Sequence, residues 1–500
     1  MSRNYTNDYK GNVEIVHLPK TIDDNYVVNR QRKDINEDSF TTEFSWALCG
    51  QDVSQINMDE LSEDNFSKLS FDENTTFSEK QIEKFNPYEI LKNGKSFGLG
   101  IERLHKAGIN GQGINVGIID EPFDVNHEEF KNTDLAYDDS NMDEESKCID
   151  NVHGKTVTSL LSQIVPKAKI YFFTSEYIYS EEINNQASKK HDDERIAIIE
   201  RIKKEYNLDV LSLSSAISIQ NNTQEYNQKY TEELEAINCA YIDSINFFKG
   251  FDYGNRNNIL DINDPENIER IERISVITND QVLKNEYANL RTKARNKIIS
   301  LTEKLINCSE EEKIKLGEEL ENATLFANMT FEEVKDFYEK RIKNKKETTD
   351  NKVLIPSGGR TYANIGEGYK YCGEGSASWS IPQISALFAI SKQMDKNITY
   401  DEFMEICSMT CSINSKKIKV INPEAIVREI NERNKSKAKD DNEYIEIYEK
   451  SSKLIINLNK VIDPRDEFIS NLKSNVQCDS NISNNEIQKK YVGDIEKQTI

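Results

Sequence analysis

Nowhere in this chain do about 18 apolar residues follow one another, the length a helix needs to cross a hydrocarbon core. The opening residues Met1-Ser2-Arg3-Asn4-Tyr5-Thr6-Asn7-Asp8 also lack the apolar stretch of a secretory signal. Neither membrane spanning nor secretion is therefore expected, and the expected location is cytoplasmic. Basic charge is scarce as well: 64 lysines and arginines stand against 87 aspartates and glutamates, a formal net charge of −23. That balance disfavours nucleic acid and anionic membranes as partners and would draw basic peptides. The eight cysteines are scattered, and the one close pair, Cys407 and Cys411, has no second pair and no nearby histidine. A zinc site is not expected on that ligand set, and buried reduced thiols are the better reading. No internal repeat is visible.

What is present is an alternation of buried strands and amphipathic helices. Apolar periodicity predicts a helix from Phe97 to Gly108, a turn at Asn110-Gly111-Gln112-Gly113 and a strand over Ile114 to Ile119 that leads to Asp120. A helix opens at His153, carrying Val157, Leu160, Leu161 and Ile164 at helical spacing until Pro166 stops it. Strands follow at Ala168 to Phe173, Asp209 to Ser214 and Ile274 to Thr278, separated by helices around Glu194 to Glu205 and Thr231 to Ile245, the second leading into a polar loop. Val353 to Pro356 resumes strand character, and a long apolar helix runs from the Ser378 segment to Met394. Such alternation predicts an α/β fold with a mostly parallel sheet, doubly wound, with helices on both faces. Three regions are expected: an acidic extension over 1–90, a core over 91–430 interrupted by a charged helical insertion at about 285–350, and a polar tail over 431–500, helical or disordered.

Three segments carry distinctive chemistry: Val116-Gly117-Ile118-Ile119-Asp120, His153-Gly154-Lys155-Thr156-Val157 and Ser376-Ala377-Ser378-Trp379-Ser380-Ile381-Pro382. A serine hydroxyl is a poor nucleophile until a base takes its proton, and that imidazole needs a third group to orient it. Asp120 at a strand's carboxyl end, with His153 and Ser378 each opening a helix, supplies those roles where a doubly wound sheet places its ligands. Orphan N–H groups at the start of the Ser378 helix would stabilise a developing oxyanion, and Pro382 is expected in the first helical turn, where it costs no hydrogen bond. Asn279, after the strand ending at Thr278, is the candidate side-chain oxyanion donor, with Asn246 second. Ser376 and Ser380 compete with Ser378, and Asp124, expected to face solvent, competes with Asp120. His17, His105, His127 and His191 read as surface or structural.

Ile114 to Phe130, His153 to Phe173, Leu208 to Ser215 and Gly375 to Ile390 resemble the Asp, His, central-strand and Ser motifs of the subtilisin family, the subtilases. The resemblance implies Asp120 as orienting carboxylate, His153 as general acid and base, and Ser378 as nucleophile, the offset to Pro382 matching only that serine. It also implies Leu213, Ser214 and Ser215 as backbone support for an extended substrate by strand addition. The chain departs from the family at Glu121-Pro122, at Ser376-Ala377 and at Ile277-Thr278, and is similar to a divergent bacterial branch with Glu/Gln-Pro after the aspartate and a Ser-Trp-Ser/Ala-x-Pro pattern at the serine.

The resulting expectation is a serine endopeptidase that cuts a defined intracellular peptide or protein through an acyl-enzyme and requires no cofactor. Acidic clusters such as Asp138-Asp139 and Asp143-Glu144-Glu145 leave structural calcium open without assigned ligands, since charge runs are more often solvated faces. The alternative is a pseudoprotease whose cleft binds a peptide or partner as sensor or scaffold. The 1–90 extension is either an inhibitory prosegment or a lasting accessory region.

Overall fold

The structure, a computed structural model, describes residues 69–140, 151–175, 185–217, 223–259, 261–270 and 351–461. It also describes shorter stretches at 3–4, 13–15, 21–22, 48–50, 52–59 and 66–67, and scattered positions between 295 and 332.

Near the N-terminus β1 (Arg3–Asn4) and β3 (Thr21–Ile22) pair antiparallel, while β2 (Val13–Ile15) joins the edge of the main sheet. The described residues between 48 and 94 then build a small aromatic unit: β4 (Ser70–Asp72), α1 (Glu79–Phe85) and α2 (Pro87–Gly94). Phe66, Phe71, Phe77, Phe85, Ile90 and Leu91 form its core, with Phe66 stacked on Phe85 at 4.2 Å. The core continues into the rest of the chain through Ile259 and Tyr371.

After α3 (Ile101–Lys106), the chain lays down β5 (Asn115–Asp120), β6 (Asp134–Asp138), β7 (Lys169–Thr174), β8 (Val210–Leu213) and β9 (Ala240–Ile242). With β2 they form one parallel sheet in the order β2-β6-β7-β5-β8-β9. The winding reverses between β5 and β8, the point beyond whose carboxyl ends doubly wound sheets bind their ligands. Branched residues fill both faces of β5: Val116 and Ile118 pack in the layer under α4 (Val152–Ser162), and Ile119 in the layer with α5 (Asn185–Glu205). Both faces are covered, as the strand–helix alternation implied.

The helix expected over 231–245 is shorter and lies earlier: α6 (Thr223–Glu235) ends before Asn238, whose φ of 60° turns the chain into β9. Pairing of Val210 with Ala240 and Ser212 with Ile242, with Tyr241 buried, outweighs the helical periodicity there. The stretch read as a polar loop holds α7 (Ser244–Gly250), capped by Asp243, then β10 (Phe251–Arg256) and β11 (Ile268–Arg270). The strand expected at 274–278 lies outside the described residues, as does nearly all of the 285–350 insertion.

β10 pairs parallel with β12 (Val353–Pro356), and a hairpin of β13 (Arg360–Ala363) and β14 (Tyr369–Cys372) binds β4 antiparallel, tying the aromatic unit to the core. α8 (Ala377–Met394) is buried from Trp379 to its end, the mark of a helix running through the middle of a domain. Beyond α9 (Tyr400–Thr410), β15 (Ser412–Ile413) and β16 (Lys419–Val420), α10 (Pro423–Lys437) runs across the boundary expected at 430. α11 (Asn442–Lys460) packs on α10, burying Ile447 and Leu458. Among the described residues no helix is long and apolar enough to cross a membrane.

Candidate active site

Asp120 is the last residue of β5 and His153 the second of α4. The imidazole Nδ1 lies 2.7 Å from Asp120 Oδ1, which also accepts the Glu121 N–H at 2.8 Å. Local sequence explains the placement. Asn151 caps α4 by accepting the His153 N–H at 2.8 Å, and its own N–H donates to the Pro122 carbonyl at 2.9 Å, joining the two segments. The carbonyl of Glu121 packs so closely on Gly154 that a Cβ there would lie 1.8 Å from it, which is why histidine is followed by glycine.

Asp120 is 6% exposed and the His153 side chain 33%. Burial works against the imidazolium, but Asp120, by charge and hydrogen bond, and then Glu121 outweigh it, raising His153 to about 9. Arg195, a buried arginine on α5, opposes that rise.

Ser378 is half-buried at the start of α8. Its Oγ donates to the Ser214 carbonyl at 3.3 Å, and Ser214 Oγ donates to the Ser378 carbonyl at 2.9 Å. Among the described residues it makes no hydrogen bond to His153 within 3.5 Å. The reciprocal pair follows from Pro382, which sits inside the helix and not in the first turn as expected. Lacking an N–H, it leaves the carbonyl four residues back without its helical partner, and Ser214 takes that place. Ser380 is fully buried, which removes it as a rival, whereas Ser376 forms the N-cap position without a side-chain cap. Asp124 is buried, not solvent-facing, and accepts the Asn126 N–H.

Of the expected substrate segment, Leu213 buries its side chain with Ile119 and Tyr241. The Ser214 carbonyl accepts from Ser378, and the Ser215 carbonyl accepts from Ser244 N–H at 2.9 Å, leaving fewer free acceptors for strand addition than expected. The pairing of Ile119 with Leu213 sets Asp120 and Ser214 at the same level of the sheet.

Asn279 lies outside the described residues. Asn246 is buried within α7, its Nδ2 donating to Thr231 Oγ1 and to the Tyr241 carbonyl. A residue that sequence reasoning missed stands closer. Asn255, near the end of β10, accepts the Gly375 N–H at 3.0 Å through Oδ1, three residues before Ser378. Its Nδ2 has no hydrogen-bond partner among the described residues. Gly358 packs on this amide, where a Cβ would lie 2.1 Å from Oδ1, and the neighbouring Ser357 Oγ donates to the Ser376 carbonyl at 3.0 Å. The signal was the dipeptide Gly254-Asn255, hidden because Phe251 to Arg256 alternates too weakly to read as a strand.

Among the described residues no cluster of potential metal ligands is formed. Asp138 instead pairs with Arg201 at 2.8 Å, and Asp143 to Glu145 lie outside the described residues.

No family model matches the sequence, and no curated protein matches it. Among solved structures, the chain is similar to the prenylagaramide maturation protease PagA, with 13% identity and a TM-score of 0.35 over 66% of this chain and 98% of that one. It is similar to a lanthipeptide protease with 11% identity and a TM-score of 0.33, over 70% and 92%. A cold-adapted subtilisin-like serine proteinase shows 13% identity and a TM-score of 0.32, over 62% and 89%. The functional reading rests on the geometry described above.

Proposed function

We propose that this chain is a serine endopeptidase in which Ser378, His153 and Asp120 act as nucleophile, general base and orienting carboxylate, with Asn255 Nδ2 and the Ser378 N–H receiving the oxyanion. The observation that carries the reading is the 2.7 Å His153–Asp120 bond at the end of β5, with Ser378 bonded to Ser214 just past the neighbouring strand β8. Ser378 Oγ attacks the scissile carbonyl carbon as its proton passes to His153 Nε2. The C–N bond then breaks, the leaving amine takes that proton, and water hydrolyses the acyl ester by the reverse relay. An extended peptide or a protein segment is the substrate class, and processing of a defined intracellular target is the assigned role.

The alternative, a cleft that binds a peptide without cutting it, is favoured by one observation: the Ser378 hydroxyl bonds to the Ser214 carbonyl in place of His153. Catalytic hydrogen bonds are often long without substrate and tighten in the complex, so the pair is compatible with a resting nucleophile. Intact-protein mass spectrometry after a fluorophosphonate decides between them. Wild type gains one adduct and Ser378→Ala none under the peptidase reading; equal labelling of both, or of neither, contradicts it.

A further inference from the structure

Arg256, the residue after Asn255, is fully buried, yet no carboxylate lies within ion-pair distance of it among the described residues. Its guanidinium donates instead to two neutral carbonyls, that of Phe97 and that of Gly359, the latter at 3.4 Å. Burial pulls it down to about 10, which leaves it charged at neutral pH. A buried charge held only by neutral partners is a costly way to fill space that an apolar side chain of similar volume would fill more cheaply.

Its two anchors explain what it holds. Gly359 belongs to the loop that packs on Asn255: at φ +68° it lies against the Arg256 stem, where a Cβ would sit 2.9 Å from Arg256 Cβ, while its neighbour Gly358 touches the Asn255 amide. Phe97 follows the aromatic N-terminal unit, packs in the main core and precedes α3. Ser67 of that unit extends the grip by one residue, its Oγ donating to the Asn257 carbonyl at 3.0 Å, and Tyr371 donates to the Ser67 carbonyl at 2.7 Å. A planar fork bonded to two carbonyls on different segments fixes a strand end in two directions, which a flexible apolar side chain does not.

We propose that Arg256 is a positioning residue for the Asn255 amide and that the N-terminal unit is its anchor. Residues 66–97 are then a permanent part of the catalytic centre and not a removable segment. The proposal rests on the peptidase reading for its rate effects, but its structural content is independent: Arg256 keeps Asn255 Oδ1 on the Gly375 N–H.

Two measurements on the full chain test it. First, fluorophosphonate acylation rates are taken for wild type, Arg256→Met, Asn255→Ala and the double variant. Arg256→Met slows acylation by about 100-fold, the scale of a 1 Å misplacement, and adds less than about twofold on the Asn255→Ala background because it acts through that side chain. A full additional loss in the double variant, or a wild-type rate for Arg256→Met, overturns the proposal. Second, amide hydrogen exchange is followed over 373–378 and 115–120. Arg256→Met loses protection in the first segment and keeps it in the second, whereas unchanged protection at 373–378 overturns the proposal even if the wild type takes no label. An unlabelled wild type whose exchange responds as expected removes the peptidase reading alone.

Discussion

The two halves of the candidate site are built differently. The Asp120–His153 half is short-range: Asp120 ends a strand, Asn151 caps the helix that carries His153, and the Glu121 and Pro122 carbonyls and Gly154 press the two together. The half around Ser378 is assembled from remote segments, with Ser214 from just past β8, Asn255 from β10, Gly358 from the loop after β12 and Gly375 from the loop before α8. A short-range pair tolerates disturbance elsewhere in the fold. A site assembled from four segments depends on all of them, and buried arginines on neutral partners underlie it: Arg256 as described, and Arg360, which bonds the Gly94 carbonyl, Gln163 beyond the His153 helix and Gln383 in the Ser378 helix.

Substitutions in each half break or sharpen this contrast. Ser378→Ala removes the proposed nucleophile, and the account expects peptide hydrolysis to fall by about a million-fold, read as kcat against an extended peptide library. Asp120→Asn leaves the packing of the short-range half intact but deprives the imidazole of its charged acceptor, with kcat down by about 10,000-fold. Asn255→Ala lowers kcat by about 100- to 1000-fold with KM little changed, because the donor is needed where the oxyanion develops. Pro382→Ala gives the smallest effect: the restored N–H competes with Ser214 for the Ser378 carbonyl, so thermal stability changes by less than about 1 kcal/mol, and acylation shifts by no more than a few-fold.

The same contrast decides what was legible in the sequence. Asp120 and His153 sit in motifs whose residues act on one another locally, Ser378 was legible only as a motif, and the strand–helix alternation that carries all three reads directly as a parallel sheet covered on both faces. Asn255 was not legible. Its strand has polar residues buried by long-range partners, Asp252 by Arg270 at 3.1 Å among them, so hydrophobic alternation fails there. The position of Pro382 was misread by a turn for a similar reason, since the group that takes over its missing hydrogen bond, Ser214, lies 164 residues earlier. α10 crosses the expected end of the core because its buried face, Ile426, Val427 and Ile430, continues to Asn434, bonded to the Met394 carbonyl at 3.1 Å.

Protonation of His153 joins the two halves. Its folded value of about 9 lies above the ordinary 6.5. The charged pair with Asp120 therefore stabilises the fold fully below 6.5, and that contribution is lost as pH rises through 9. The proposed nucleophile activation runs the opposite way, since only a neutral His153 would accept the Ser378 proton. The most direct test is the pH dependence of the fluorophosphonate acylation rate in wild type and Asp120→Asn. The account predicts a wild-type rate that rises with pH to a limb near 9, and a limb in Asp120→Asn displaced well below it, because burial and Arg195 then act on the imidazole without the Asp120 charge. A wild-type rate independent of pH across that range, or one limb shared by both proteins, would contradict the claim that Asp120 and His153 activate Ser378.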